Sequence, residues 1–272
     1  MAEAAAKKAD ILNQSQIKAI VKTALEAGEI AMSHFGSKNL DVKKKADNSP
    51  LTIADSLISD LIFSELEKIA PHIPVICEER QNRDFDNGIF WLIDPIDGTS
   101  SFANSDAEFT INIALIKNQK PVFGLIYAPA IPGLPFYYTN ENGDLIKYNA
   151  KNQTGEIFIP QKKSTNDFAI IASKRSADKD ILEHFHAVKN HDWKKEDKLI
   201  SVLKCSSSLK FLYLIEGRVD LYLHLRRSME WDIAAGHALL LAAGGKIEDL
   251  DGEEFLYGKA GLVNKGFLAS LS

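Results

Sequence analysis

The chain has 272 residues, enough for one large domain or two intimately packed halves, and 45% hydrophobic with 25% charged residues is the composition of an ordinary globular protein. Its net charge of −5 argues against bulk nucleic-acid binding, which needs a basic surface, but leaves room for a small phosphorylated ligand. The longest apolar stretches, such as Ile233 to Gly245, are too short and alanine-rich for a membrane span, so no integral membrane association is expected. Met1–Asp10 lacks the apolar core of a signal peptide, and Cys77 and Cys205 make no disulfide framework, which together suit a cytoplasmic location.

Taken in chain order, helical spacing of apolar residues predicts a helix over Ile11–Phe35, stopped by Gly36. The basic, polar stretch Lys43–Pro50 follows, then a second amphipathic helix over Ala54–Ile69 closed by Pro71. Pro74–Cys77 reads as a short strand ending at Glu78-Glu79. The run Ile89–Ile93 reads as a buried strand that stops at Asp94-Pro95, because proline has no N–H for the ladder. Phe109–Lys117 and Pro121–Ala128 look like paired strands, and Asn142-Gly143 between Pro135–Thr139 and Leu145–Tyr148 is a hairpin signal. The second half alternates: strand Phe168–Ala172, helix Lys179–Val188, strand Leu199–Leu203, helix Ser208–Glu216, strand Val219–Leu223, helix Trp231–Ala243 and strand Lys246–Asp249. An α+β half over residues 1–155 and an α/β half over 156–272 are therefore expected within one compact unit.

Acidic residues stand where predicted apolar strands end or helices begin: Glu78-Glu79, Asp94 with Asp97, Asp232, and Asp55 at the start of the second helix. Each has a plain structural reading. Asp55 and Asp232 are typical helix N-caps, Glu78-Glu79 a solvated pair, and Asp97-Gly98 a turn. If instead they converge, the repulsion among them calls for divalent cations, and an all-oxygen ligand set selects hard ions such as Mg²⁺, Mn²⁺ or Ca²⁺. The segment Asp94-Pro95-Ile96-Asp97-Gly98-Thr99-Ser100 favours convergence: two acids three apart bracket a stiff proline, a glycine admits close backbone approach, and hydroxyls open a short helix. Free N–H groups at Gly98–Ser101 would suit a phosphate. EF-hand, Walker A, dinucleotide, H-E-x-x-H and G-x-S-x-G patterns are all absent.

At these residues the chain resembles the inositol monophosphatase superfamily of metal-dependent, lithium-sensitive phosphatases. Four ordered blocks carry the resemblance: Leu51–Asp55; Glu78-Glu79; Trp91–Thr99; and Trp231–Gly236 with Ala243-Gly244-Gly245. It implies a layered αβαβα sandwich of the inositol monophosphatase and fructose-1,6-bisphosphatase type, commonly a homodimer. It further implies that Glu78, Asp94 and the carbonyl of Ile96 hold one metal, and that Asp94, Asp97 and Asp232 hold a second. Asp55 and Thr99 would orient the attacking water, with Glu78 near a third, weaker metal. The cofactor would be Mg²⁺, as two or three ions, with Mn²⁺ a substitute. A metal-activated water would attack phosphorus in line, with the Gly98–Ser101 amides on the phosphoryl oxygens.

Ser206–Phe211, Ser228–Asp232 and Lys45–Thr52 are similar to the bacterial 3′(2′),5′-bisphosphate nucleotidase branch, with Ser206 in place of a glycine and Arg226-Arg227-Ser228 in place of Gly-Pro-Thr. The resemblance implies hydrolysis of 3′-phosphoadenosine 5′-phosphate, with inositol phosphates or fructose 1,6-bisphosphate as the alternative. Gly98, Thr99, Ser100, Ser207, Lys210 and Asp232 are the expected substrate contacts. Arg226-Arg227 suits either a second phosphate or a solvated surface pair, and Lys210 either that phosphate or a helix surface. Cys77 is expected as a small buried hydrophobe, and His224 and His237 as structural residues. Some relatives associate peripherally with the inner membrane, but no basic amphipathic helix here calls for it.

Overall fold

A strand apolar at every position, as Ile89–Ile93 is, needs cover on both faces. The computed structural model supplies it, and describes residues 11–37, 43–44, 50–80, 88–133, 136–161, 167–187 and 199–271. β1 (Lys43–Lys44) and β2 (Pro50–Leu51) form a short antiparallel pair. A seven-stranded sheet then runs in the order β3 (Val75–Cys77), β4 (Ile89–Asp97), β5 (Thr110–Lys117), β6 (Lys120–Tyr127), β7 (Phe136–Thr139), β8 (Leu145–Asn149) and β9 (Thr154–Ile157). β3 and β4 are parallel, and every later pair is antiparallel.

Side-chain alternation sorts the layers. From β4, Trp91 and Ile93 pack with α1 (Gln14–His34) and α2 (Ile53–Ile69). Phe90 and Leu92 face the other way, into a core shared with α5 (Leu209–Ile215), α6 (Glu230–Ala242) and a second sheet. That sheet has five strands in the order β11 (Ile200–Cys205), β10 (Phe168–Ser173), β12 (Leu221–His224), β16 (Phe267–Leu271) and β14 (Gly245–Asp249). Ala169 and Ile171 of β10 point into the shared core, while Phe168, Ile170 and Ala172 pack on Ile181 and Phe185 of α4 (Asp178–Ala187). The layers are thus helix, sheet, helix, sheet, helix, as the resemblance implied. A short helix, α3 (Thr99–Ala103), follows β4, and β13 (Ser228–Met229) pairs with β15 (Val263–Asn264) ahead of α6.

Several details differ from expectation. β4 does not stop before Pro95 but runs to Asp97, because a register shift between Asp94 and Asp97 absorbs the missing N–H. The strand–helix alternation of the second half gives parallel neighbours only for β10, β11 and β12; β14 and β16 are antiparallel. β9 and β16 were not foreseen, and β9 spans the stretch in which a boundary between halves was expected. Met1–Asp10, Lys45–Ser49 of the basic, polar stretch, Pro135 and Val188 lie outside the described residues.

Candidate active site

Residues three apart on a regular strand face opposite sides of the sheet, so Asp94 and Asp97 should diverge. The bulge at Pro95 removes that constraint: Asp94 pairs with Asn112 and Asp97 with Thr110, and the two carboxylates fall within electrostatic range of each other. Gly98 then turns the chain into α3 at φ +90°, a conformation that favours glycine. A Cβ there would stand 2.8 Å from the Glu108 carbonyl oxygen and 3.3 Å from Ser207 Cβ.

Asp55 and Asp232 arrive from helix starts, but neither is an N-cap. Each occupies the third helical position and reaches back to the amide of the capping residue. Asp55 Oδ2 accepts from Thr52 N at 2.8 Å and from Thr52 Oγ1 at 2.5 Å. Asp232 Oδ2 accepts from Met229 N at 2.8 Å. One oxygen of each carboxylate is thereby fixed. Thr99 Oγ1 lies 3.4 Å from Asp55 Oδ1, and its nearer acceptor is the Ile96 carbonyl at 3.0 Å, so a single hydroxyl links Asp55, Thr99 and Ile96. Glu78 directly follows β3, and its amide bonds the Ile93 carbonyl of β4 at 3.2 Å.

The acids act on one another. Asp94 is buried, its Oδ1 has no hydrogen-bond partner, and burial, then Glu78, Asp97 and Asp232, hold its carboxyl well above the usual range. Burial raises Asp97, opposed by the Lys210 ammonium and the Ser208 hydroxyl, and burial followed by Asp97 raises Asp232 well above its usual value. Among the described residues, no group of three or more His, Cys, Asp or Glu side chains is placed so that it could hold a metal ion as it stands. The orphaned Asp94 oxygen and the mutual repulsion of an all-oxygen donor set nonetheless fit hard divalent cations, which would supply the missing counter-charge.

Above this cluster opens a cleft of about 440 Å³, and the six expected substrate contacts, Gly98, Thr99, Ser100, Ser207, Lys210 and Asp232, all line it, as does Asp97. Asp55, Glu78 and Asp94 are not on its wall. Lys210 is not on a helix surface: it is 5% exposed, and its Nζ donates to the carbonyls of Ser207 and Cys205. Burial lowers its pKa while Asp97 and Asp232 work against that. Ser206 lines the cleft, its amide donating to Glu108 Oε2 at 2.6 Å. Cys77 is buried with its Sγ 3.2 Å from Ser59 Oγ, and burial pushes the thiol up to about 11. Burial also pulls His224 and His237 down to about 3, leaving both rings neutral at physiological pH. His224 bonds Tyr222 and His237 bonds Tyr257.

Two residues that the sequence did not single out complete the cluster. Ser208 Oγ stands 2.7 Å from Asp97 Oδ2 and 2.9 Å from the Asp232 carbonyl. Asn112 Nδ2 donates to Ser208 Oγ at 2.7 Å and lies 3.3 Å from Asp97 Oδ2. Asn112 had a signal, being the one polar residue in the otherwise apolar run Ile111–Ile116. Ser208 had little, since a serine ahead of a helix reads as a cap.

Comparisons with known proteins cover nearly the whole chain. The sequence matches the inositol monophosphatase family over residues 12–270. It is 33% identical to the 3′(2′),5′-bisphosphate nucleotidase CysQ of Shigella flexneri, over 93% of this chain and 98% of that protein. The fold matches the crystal structure of CysQ from Bacteroides thetaiotaomicron, a bacterial member of the inositol monophosphatase family, with a TM-score of 0.77 at 30% identity, covering 95% of this chain and 97% of that one. It also matches an IMPase of Thermotoga maritima, with a TM-score of 0.70 at 26% identity, covering 92% of this chain and 89% of the other. This chain belongs to the inositol monophosphatase family.

Proposed function

We propose that the chain is a Mg²⁺-dependent phosphomonoesterase that hydrolyses 3′-phosphoadenosine 5′-phosphate to adenosine 5′-monophosphate and phosphate. The observation that carries the reading is the convergence of Glu78, Asp94, Asp97 and Asp232 within electrostatic range of one another, with Asp97 and Asp232 lining an open cleft and an oxygen of the buried Asp94 left unpartnered. The nucleotidase relatives support the choice of substrate.

In this reading Glu78, Asp94 and the Ile96 carbonyl would hold one ion, and Asp94, Asp97 and Asp232 a second; two or three Mg²⁺ ions would serve, with Mn²⁺ as a substitute. When bound, the ions supply Lewis acidity and make water a competent nucleophile near neutral pH. The chain's own groups do the rest. Thr99 Oγ1, held between Asp55 Oδ1 and the Ile96 carbonyl, is set to accept one hydrogen bond and so aim a water, while Asp55 is fixed in turn by Thr52. The first amides of α3, which no intrahelical acceptor can reach, face the phosphoryl oxygens. Lys210, buried beneath the cleft, opposes the rise that burial imposes on the Asp97 and Asp232 carboxyls. Residues 1–155 bring most ligands, and 156–272 bring Asp232 and the substrate-facing groups, in one compact unit. Among the described residues no helix is long and apolar enough to cross a membrane.

One panel tests the reading: initial rates on 3′-phosphoadenosine 5′-phosphate, inositol 1-phosphate and fructose 1,6-bisphosphate with Mg²⁺, repeated with added Li⁺. The nucleotide should be preferred and Li⁺ should inhibit. A clear preference for inositol 1-phosphate would replace the nucleotidase assignment with an inositol monophosphatase one.

A further inference from the structure

The cleft is also lined by cationic residues, alongside Asp106, and their charges differ in availability. Lys174 is already neutralised, with Nζ 2.7 Å from Asp106 Oδ2 and 3.0 Å from Glu108 Oε2. Lys210 is buried against carbonyls and answers Asp97 and Asp232. His224 contributes no charge, since burial keeps its ring neutral. What is left is Arg175, Arg226 and Arg227, all exposed, all lining the cleft, and none with an acidic partner among the described residues. Arg226 Nη1 donates to the Arg175 carbonyl at 3.2 Å, which ties the loop after β12, where Arg226 and Arg227 are adjacent, to the loop after β10 that carries Arg175. Unpaired guanidiniums repel one another unless an anion lies between them, and their planar fork of donors matches a phosphate. A cleft of about 440 Å³ falls within the size range of small-ligand sites, so one ligand can meet the acidic floor and the arginine rim together.

We propose that Arg175, Arg226 and Arg227 form the subsite for the substrate's second, non-reacting phosphate, and that they make the chain select a nucleoside bisphosphate over a nucleoside monophosphate. This rests on the reading of the acidic floor as the place where the other phosphate is hydrolysed. The arginine rim sets selectivity and the acidic floor does the chemistry, so the two can be separated by experiment.

The measurement is kcat/KM for 3′-phosphoadenosine 5′-phosphate and for adenosine 3′-monophosphate, at fixed ionic strength, in the wild type and in Arg175→Ala, Arg226→Ala and Arg227→Ala. The ratio of the two values should fall about tenfold to a hundredfold in each variant, the loss expected for one charged hydrogen-bonding group. A merely structural role would depress both substrates together and leave the ratio unchanged, and that result would overturn the proposal. Calorimetry without Mg²⁺ then compares adenosine 5′-monophosphate with adenosine as ligands. The wild type should bind the phosphorylated ligand more tightly, and the arginine variants should lose that advantage. A gap that survives in the variants overturns the subsite even if the enzyme proves active. A gap that closes supports it even if the choice of hydrolysed ester proves wrong.

Discussion

Ser208 is the place to perturb the acidic cluster without touching a proposed metal ligand. It precedes α5, yet its hydroxyl makes no capping bond, lying instead 2.7 Å from Asp97 Oδ2 and 2.9 Å from the Asp232 carbonyl. Its single proton serves one acceptor at a time, and Asn112 Nδ2 donates to it at 2.7 Å. Ser208→Ala therefore removes no helix cap. It removes a hydrogen bond to a buried carboxylate and leaves Asn112 with only the weaker 3.3 Å contact to Asp97. A bond to a charged group contributes about 1.5–3 kcal/mol. At about 2–4 °C per kcal/mol for a chain of this size, Tm should drop by roughly 3–12 °C. Because Asp97 also loses the group that fixes its orientation, the Mg²⁺ concentration giving half-maximal rate should rise about ten- to a hundredfold, the usual consequence of removing a residue that orients a ligand. Thermal melts and a Mg²⁺ titration of the initial rate read the two effects. A lowered Tm with an unmoved Mg²⁺ midpoint would show that Ser208 holds the fold together and does not orient Asp97.

Gly98→Ala places a Cβ at φ +90°, 2.8 Å from the Glu108 carbonyl oxygen, so α3 must shift. The left-handed backbone alone costs about 1–2 kcal/mol, and kcat/KM should fall by more than the Tm change alone explains, as measured by rates and melts on one preparation. Gly236→Ala, far less tied to the chemistry, puts a Cβ 2.1 Å from Phe211 Cδ2, and overpacking there should cost about 1–3 kcal/mol in denaturant unfolding. The pH dependence follows from the raised carboxyls of Asp94, Asp97 and Asp232. The folded chain holds more protons than the unfolded one above about pH 4, so metal-free stability should decline as pH rises from there through the raised folded values. In EDTA, Tm should therefore fall from acid to neutral pH, and Mg²⁺ should restore it; a Tm indifferent to both would contradict a repulsive carboxylate cluster.

Much of the fold was legible because its strands are continuously apolar and its helices carry clear stops. The layers follow from parity: Trp91 and Ile93 must be covered separately from Phe90 and Leu92, and both coverings were present as predicted helices. β9 escaped because all four of its residues, Thr154–Ile157, are exposed and show no apolar alternation. β16 escaped because Phe267-Leu268-Ala269-Ser270-Leu271 carries residues as much at home in a helix. At the site, the Asp94–Thr99 segment was conspicuous because its chemistry is compressed into six consecutive residues. What it hid was geometry. That the strand continues past Pro95, that Asp55 and Asp232 bind cap amides with one oxygen each, and that Lys210 points inward are all products of packing. The Asn112–Ser208–Asp97 contact joins residues 96 and 111 positions apart, which no local pattern announces.

The central claim is that Glu78, Asp94, Asp97 and Asp232 hold Mg²⁺ for phosphate-ester hydrolysis, and Asp94 is the buried member on which the other three act. The most direct measurement is phosphate release from 3′-phosphoadenosine 5′-phosphate by the wild type and Asp94→Asn, each in Mg²⁺ and in EDTA, with Tm recorded alongside. The wild type should turn over only with Mg²⁺. Asp94→Asn should lose about a thousandfold or more in rate, while its metal-free Tm stays level or rises, because a buried like charge has been removed. Turnover by Asp94→Asn within about tenfold of wild type, a loss smaller than an orienting residue alone would give, would contradict the claim, whatever its Tm.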